Sequence, residues 1–141
     1  MKMMKSFLCS RSVPSIYLIK IYDWATEVRD KGITVVSGFH SDIERDVFHF
    51  LAKGKQPIIM VLAKRSYKRI PKELKPLVDS GRLKIISPFS DDFWLASVDS
   101  AKKRNRYMIE MADEVVVGYA SPGGNLEKLL REYDGTGKQI V

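Results

Sequence analysis

The stretch Ile33–Leu62, ITVVSGFHSDIERDVFHFLAKGKQPIIMVL, decides the fold. It opens on a short run rich in β-branched residues, Ile33 to Ser37, and closes on the apolar run Ile58 to Leu62, which Pro57 introduces. Between them, Asp42 to Lys53 has helical period, and Gly54 stands where a helix should stop. A continuous apolar run suits a strand covered on both faces. The unit therefore reads as strand, crossover helix and parallel strand.

The same alternation extends outward. Lys5 to Cys9 reads as a strand, followed by a loop through Pro14. Tyr17, Ile21, Trp24, Ala25 and Val28 then recur at three- and four-residue spacing, and Gly32 ends that helix. Downstream come a basic loop, Lys64 to Arg69, a short helix from Pro71 to about Ser80, and a strand, Leu83 to Ser87. A loop with Pro88 and Asp91-Asp92 leads to a helix over about Val98–Met111 and a strand over Glu114–Gly118. The turn Ser121-Pro122-Gly123-Gly124-Asn125 feeds a helix, Leu126 to Tyr133, broken by Gly135 and Gly137. Lys138 to Val141 reads as a last strand that leaves no room for a further domain. The pattern predicts one α/β domain over 1–141, a three-layer Rossmann-like sandwich with a mostly parallel sheet of about five or six strands. Right-handed crossovers bring the C-terminal strand ends to one edge, where such sheets bind ligands.

Composition narrows the class. Hydrophobic residues at 45% and charged residues at 29% describe a globular chain, not a disordered one. The single cysteine, Cys9, excludes an intramolecular disulfide and an all-cysteine metal site, and makes a reduced cytoplasmic setting the default. No HExxH or CxxC spacing occurs, so no metal or other cofactor is expected. The longest apolar run, Ile58 to Ala63, is too short to span a bilayer, and MKMMKSFLCS lacks the apolar region of a signal peptide. The net charge of +7 is concentrated: Lys53 to Lys84 holds ten Lys or Arg against Glu73 and Asp79. Such a segment predicts a patch that attracts phosphates or nucleic acid; the alternative is a solvated lysine-rich face.

Four groups of residues fall at the predicted ligand edge: Cys9-Ser10-Arg11-Ser12, Ser37-Gly38-Phe39-His40-Ser41, Arg104-Asn105-Arg106 and Ser121 to Asn125. The loop after the third strand adds Lys64, Arg65, Lys68 and Arg69. Small residues at strand-to-helix turns expose backbone N–H groups, and arginine offers a planar fork to phosphate oxygens. Arg104 and Arg106 are two apart on a helix and cannot share a face, so at most one enters a pocket. The other is expected to pair with Glu110 or a loop carbonyl. Ser37-Gly38 and the SPGGN turn also read as plain turn chemistry. His40 lacks an obvious catalytic partner, His49 reads as packing, and Cys9 reads as a small core residue. Phe39 and Tyr67 either stack on bases or cover the core edge.

Ser10-Arg11 after the first strand, Val35-Val36-Ser37-Gly38, RNRYMIE (104–110) and VVVGYASPGGNL (115–126) resemble the DNA-processing protein A (Smf) family. LAKRSYKRIP (62–71) occupies the place of that family's glycine-rich loop ending in Tyr-Pro. The resemblance covers nearly the whole chain. It implies a Rossmann-like nucleotide-binding domain of the SLOG type that binds single-stranded DNA in a basic pocket, forms homodimers and helps load a recombinase. It assigns phosphate or base contacts to Ser10, Arg11, Ser37, Gly38, Arg104, Asn105 and Arg106, with Gly123 and Gly124 shaping the last turn. The chain departs from the family at Cys9 and Arg65, where glycine is usual, at Ile70, where tyrosine is usual, and at Ala101, where an aromatic is usual. Asp42-Ile43-Glu44 stands in place of Gly-Ile-Asp.

The leading function is non-enzymatic binding of single-stranded DNA or a related nucleotide. A nucleotide-ligand sensor is one alternative. Another is a nucleoside monophosphate phosphoribohydrolase of the cytokinin-activating (LOG) type, whose PGG-x-GT-x-x-E motif begins well at Pro122-Gly123-Gly124. Leu126 and Glu127 then replace its Gly-Thr, and Leu130 replaces the carboxylate that acid–base chemistry requires.

Overall fold

A computed structural model describes residues 3–141. Five strands form one sheet: β1 (Met4–Leu8), β2 (Thr34–Ser37), β3 (Ile58–Val61), β4 (Leu83–Ile86) and β5 (Glu114–Val117). Their order is β4-β3-β2-β1-β5, and every pairing is parallel. The connecting helices are α1 (Ser15–Asp30), α2 (Asp42–Ala52), α3 (Lys75–Asp79), α4 (Val98–Met111) and α5 (Asn125–Arg131). The expected Rossmann-like sandwich is therefore what the chain forms.

Pleating divides the apolar strand residues between two cores. Phe7, Val35, Ile58 and Met60 pack with Ile21, Ala25 and Val28 of α1 and Val47, Phe48 and Leu51 of α2. Leu8, Val36, Val61 and Val115 pack with Met108 and Ile109 of α4 and Leu129 of α5. Adjacent residues Phe7 and Leu8 point to opposite faces, as do Val35 and Val36, which the period of two requires. Full burial of each large apolar side chain contributes about 1.5–3 kcal/mol.

The strand order also explains where the chain opens. It steps from β1 outward to β4 under α1, α2 and α3, then returns through α4 on the other face to place β5 beside β1. Loops leaving β1 and β5 depart toward opposite faces, which makes a crevice at this switch point. Two capped helices start at the same edge. Ser41 Oγ accepts from Glu44 N at 3.3 Å while Glu44 Oε1 accepts from Ser41 N at 3.2 Å. Ser97 and Ser100 exchange the equivalent pair at the start of α4. Both are capping boxes, which satisfy donors that a helix start otherwise leaves open.

Three local expectations are revised. The short helix begins at Lys75 and not at Pro71, because Pro76 lacks an N–H and is tolerated only in a first turn. The expected final strand makes one parallel bridge, Val115 with Ile140, beside β5. His49 is exposed, since the buried stripe of α2 runs through Glu44, Val47, Phe48 and Leu51. Among the described residues, no helix is long and apolar enough to cross a membrane.

Candidate functional site

The loops after β1, β2, β3 and β5, with the first half of α4, enclose a cleft of about 1480 Å³ at the C-terminal edge of the sheet. Ser10, Arg11, Gly38 and Lys64 line it, together with Arg104 and Asn105 of α4 and Ser121, Gly124 and Asn125 of the last turn. Four other sequence candidates do not. Ser37 is fully buried, and its Oγ accepts from Phe39 N at 3.3 Å, closing the turn. Arg65 is half-buried and ties the loop through its backbone N–H to Phe93 O. Arg106 turns outward and donates to Glu132 Oε1 at 2.7 Å, not to Glu110. Gly123 supplies a left-handed turn, with φ of 72°, and its N–H is held by Glu127 Oε1.

Arg104 is the centre of the cleft. It is only 8% exposed, although it carries a full charge. Its Nε donates to Asn105 Oδ1 at 2.9 Å and one terminal nitrogen reaches Val61 O at 3.5 Å. A guanidinium has five N–H donors, so two contacts leave most of its capacity uncommitted. The guanidinium lies directly against Gly38, where an added Cβ would overlap it. Glycine at 38 is thus a packing requirement of Arg104 as well as turn chemistry. Burial lowers the Arg104 pKa from its ordinary value, and the nearby Glu44 carboxylate opposes that shift.

Several backbone donors of this edge are spent within the protein. Glu44 Oε1 holds His40 N at 2.9 Å as well as Ser41 N, and Ser10 Oγ holds Ser121 N at 2.8 Å. The last bond joins the loops after β1 and β5 across the switch point, and Ser10 N reinforces it by donating to Tyr119 O at 2.7 Å. Five cationic residues line the cleft, Arg11, Arg45, Lys64, Lys102 and Arg104, against two carboxylates, Glu44 and Glu73.

Of these five, Lys64 alone belongs to the basic segment Lys53–Lys84. The segment threads from one edge of the sheet to the other and back, so its charge is dispersed. Lys53 and Lys55 border a cavity of about 480 Å³ with Arg29, and Arg82 donates to the carbonyls that end α2. The cleft is cationic because four separate segments each send a charge to it, a convergence that no count along the sequence reveals.

Several expectations about individual groups resolve here. Phe39 is buried, and Tyr67 is half-buried under Lys64 Nζ, so both cover the core edge. Cys9 is half-buried in the first core, and burial, followed by the Glu44 charge, pushes its thiol up to about 11. A thiol held neutral in this way is a poor nucleophile. The His40 pKa is lowered, first by burial and then by Arg104 and Arg11. Among the described residues, no three His, Cys, Asp or Glu side chains are grouped to hold a metal ion.

Glu44 lines the cleft, where the sequence puts it with Asp42 as two carboxylates beside the presumed phosphate pocket. Another site residue escaped the sequence reading. Trp94 lines the cleft rim and is 61% exposed, next to Leu95 at 70%. The signal was an apolar triplet, Phe93-Trp94-Leu95, placed in a loop between Asp92 and Ser97.

Comparison with solved structures shows how this architecture is used elsewhere. The fold is shared with DNA processing protein A. The Helicobacter pylori protein, studied for its single-stranded DNA binding mode, superposes with a TM-score of 0.75 at 17% identity, over 98% of this chain and 63% of that one. DNA processing protein A of Streptococcus pneumoniae superposes at 0.63 with 14% identity, over 99% and 58% of the respective chains. The chain thus spans less than two thirds of either DNA processing protein A chain. A molybdenum cofactor binding protein from the phototrophic bacterium Rippkaea orientalis has the same fold, with a TM-score of 0.68, 11% identity, and 99% and 75% coverage. No protein-family model and no curated protein matches the sequence.

Proposed function

We propose that the cleft binds single-stranded DNA or a related nucleotide through its phosphates, without covalent chemistry. The observation that carries this reading is Arg104, a buried guanidinium with uncommitted donors over the C-terminal ends of β2 and β3. A buried charge is costly unless it is paired, and two oxygens of a phosphate can meet the planar guanidinium fork in bidentate form. Arg11 and Lys64 line the same cleft and can take further phosphate oxygens. Trp94 offers an exposed ring on which a base can stack, a sequence-tolerant contact. Recombinase loading and homodimer formation belong to this proposal by likeness to the DNA-processing family alone.

A nucleotide-containing cofactor or messenger is the second reading. It is favoured by the cofactor-binding neighbour of the same fold and by the cleft's volume of about 1480 Å³. The carboxylate that phosphoribohydrolases need after their PGG turn is Leu130 here, which supports binding without hydrolysis.

Fluorescence anisotropy with a labelled single-stranded oligonucleotide tests the proposal. Affinity is expected to fall by about 0.7 log units per log unit of salt for each phosphate contacted. Ligand should also quench the exposed Trp94, while Trp24, stacked on Phe7 in the core, stays unchanged. Absent or salt-independent binding of both oligonucleotides and mononucleotides rejects the proposal.

A further inference from the structure

Glu44 is a carboxylate set inside a cleft whose other deep charge is a cation. It is only 6% exposed and lines the cleft. Its Oε1 accepts from His40 N at 2.9 Å and Ser41 N at 3.2 Å, which fixes the side chain. Its Oε2 accepts no hydrogen bond from any described residue, yet it is not among the sealed, unpartnered polar atoms of the interior. Arg104, the nearest deep cation, does not close on it; that guanidinium bonds Asn105 and Val61 instead. Two opposite charges therefore share the cleft floor without forming an ion pair.

A phosphate suits only one of them. Any ligand that fills the cleft strips water from Oε2, and that loss is offset only if the ligand donates a hydrogen bond there. An anion with no donor would be repelled as well. The donors that lie within one sugar of a nucleotide phosphate are the ribose hydroxyls, and carboxylates are a recurrent acceptor for them in α/β folds. A single carboxylate oxygen has two lone-pair sites, enough for both members of a vicinal diol.

We propose that Glu44 Oε2 reads the 2′- and 3′-hydroxyls of a ribonucleotide whose phosphate lies on Arg104, so that the cleft distinguishes ribose from deoxyribose. The proposal rests on the cleft being a phosphate site, and it narrows the ligand to a ribonucleotide.

The test is calorimetric titration of the full chain with AMP, dAMP and a short deoxyoligonucleotide, in the native protein and in Glu44→Gln. Glutamine keeps the carbonyl oxygen that the capping box needs, so α2 is retained, which circular dichroism checks. The native protein is expected to prefer AMP over dAMP by about tenfold, the scale of one charge-assisted hydrogen bond. In Glu44→Gln that preference should vanish through weaker AMP binding, while dAMP binds equally or more tightly. Equal affinity for AMP and dAMP in the native protein overturns the assignment. So does a Glu44→Gln variant that binds all three ligands more tightly, because the carboxylate would then only repel phosphate. If no ligand binds even the native protein, the phosphate site itself falls, a failure distinct from phosphates that bind irrespective of Glu44.

Discussion

Arg82 and Arg104 are the same side chain at opposite edges of one sheet, and the contrast between them separates architecture from recognition. Arg82 sits at the N-terminal edge and makes four hydrogen bonds, to the carbonyls of Leu51, Ala52 and, twice, Gln56, at 2.9–3.1 Å. It closes the C-terminal end of α2, where a cation suits both the open carbonyls and the helix dipole. Arg104 at the C-terminal edge is 8% exposed and makes two hydrogen bonds among the described residues. One guanidinium has its donors spent on the protein, and the other holds donors in reserve at a cleft. The two differ in burial as well, since Arg82 is half-buried and Arg104 is buried.

The largest test of this contrast is a crossed pair of substitutions. Arg104→Ala is expected to weaken oligonucleotide or nucleotide binding by roughly a hundredfold, since several charge-assisted bonds are lost together. Arg82→Ala should leave affinity intact and lower unfolding free energy by about 2–3 kcal/mol, read by chemical denaturation, because buried carbonyls lose their partner. If Arg82→Ala abolished binding while Arg104→Ala only destabilised the fold, the assignment of roles would be reversed.

Gly38→Ala sharpens the same point without touching a charge. The new Cβ must displace the Arg104 guanidinium, so affinity should drop by roughly tenfold, a cost of about 1.4 kcal/mol, with the fold retained by circular dichroism. Unchanged affinity would mean that the position of Arg104 over Gly38 is irrelevant to recognition.

Proton linkage gives a smaller effect. Burial, then Arg104 and Arg11, holds the His40 pKa below 6.5 in the free protein. A bound phosphate offsets those cations and raises it, so binding takes up a proton. Affinity should therefore strengthen as pH falls through the bound-state pKa and level off below the free-state one, by at most tenfold per pH unit for one site. The free fold responds in the opposite sense. Because the folded pKa is depressed, the His40 contribution to stability is present above about 6.5 and is lost as pH falls below it. Anisotropy across this range, repeated with His40→Gln, should show the slope in the native protein and none in the variant.

The smallest effect belongs to Arg106, the near neighbour that faces the other way. Its partner is the exposed Glu132, and such surface pairs contribute little. Arg106→Ala should change neither affinity nor melting temperature measurably. A binding loss comparable to that of Arg104→Ala would show that α4 presents both arginines to the ligand.

The fold was legible because its signals are local. Apolar runs at Ile33–Ser37 and Ile58–Leu62, helical spacing from Tyr17 to Val28, and glycines at 32 and 54 each act over a few residues. The loops of the cleft were legible for the same reason, since Ser10-Arg11, Gly38 and Ser121 to Asn125 follow strands whose ends must share an edge. Helical geometry required that Arg104 and Arg106 diverge, but it could not choose between them. That choice came from packing: Arg104 shares the inward stripe with Ser100 and Met108, whereas Arg106 meets Glu132 of the neighbouring α5 end. The dense basic segment misled, because sequence proximity in a βαβ unit places residues at both edges of the sheet.

The amino-acid order by itself determined the alternation of strands and helices, the parallel sheet and the rim toward which ligand loops converge, because periodicity and turn chemistry act between near neighbours. Only the tertiary structure decided which charges share the cleft, which backbone donors are already used, and that Glu44 and Arg104 lie deep together without pairing. Those outcomes depend on distances between segments as far apart as residues 44 and 104, and electrostatic and desolvation energies respond to distance in space, not along the chain.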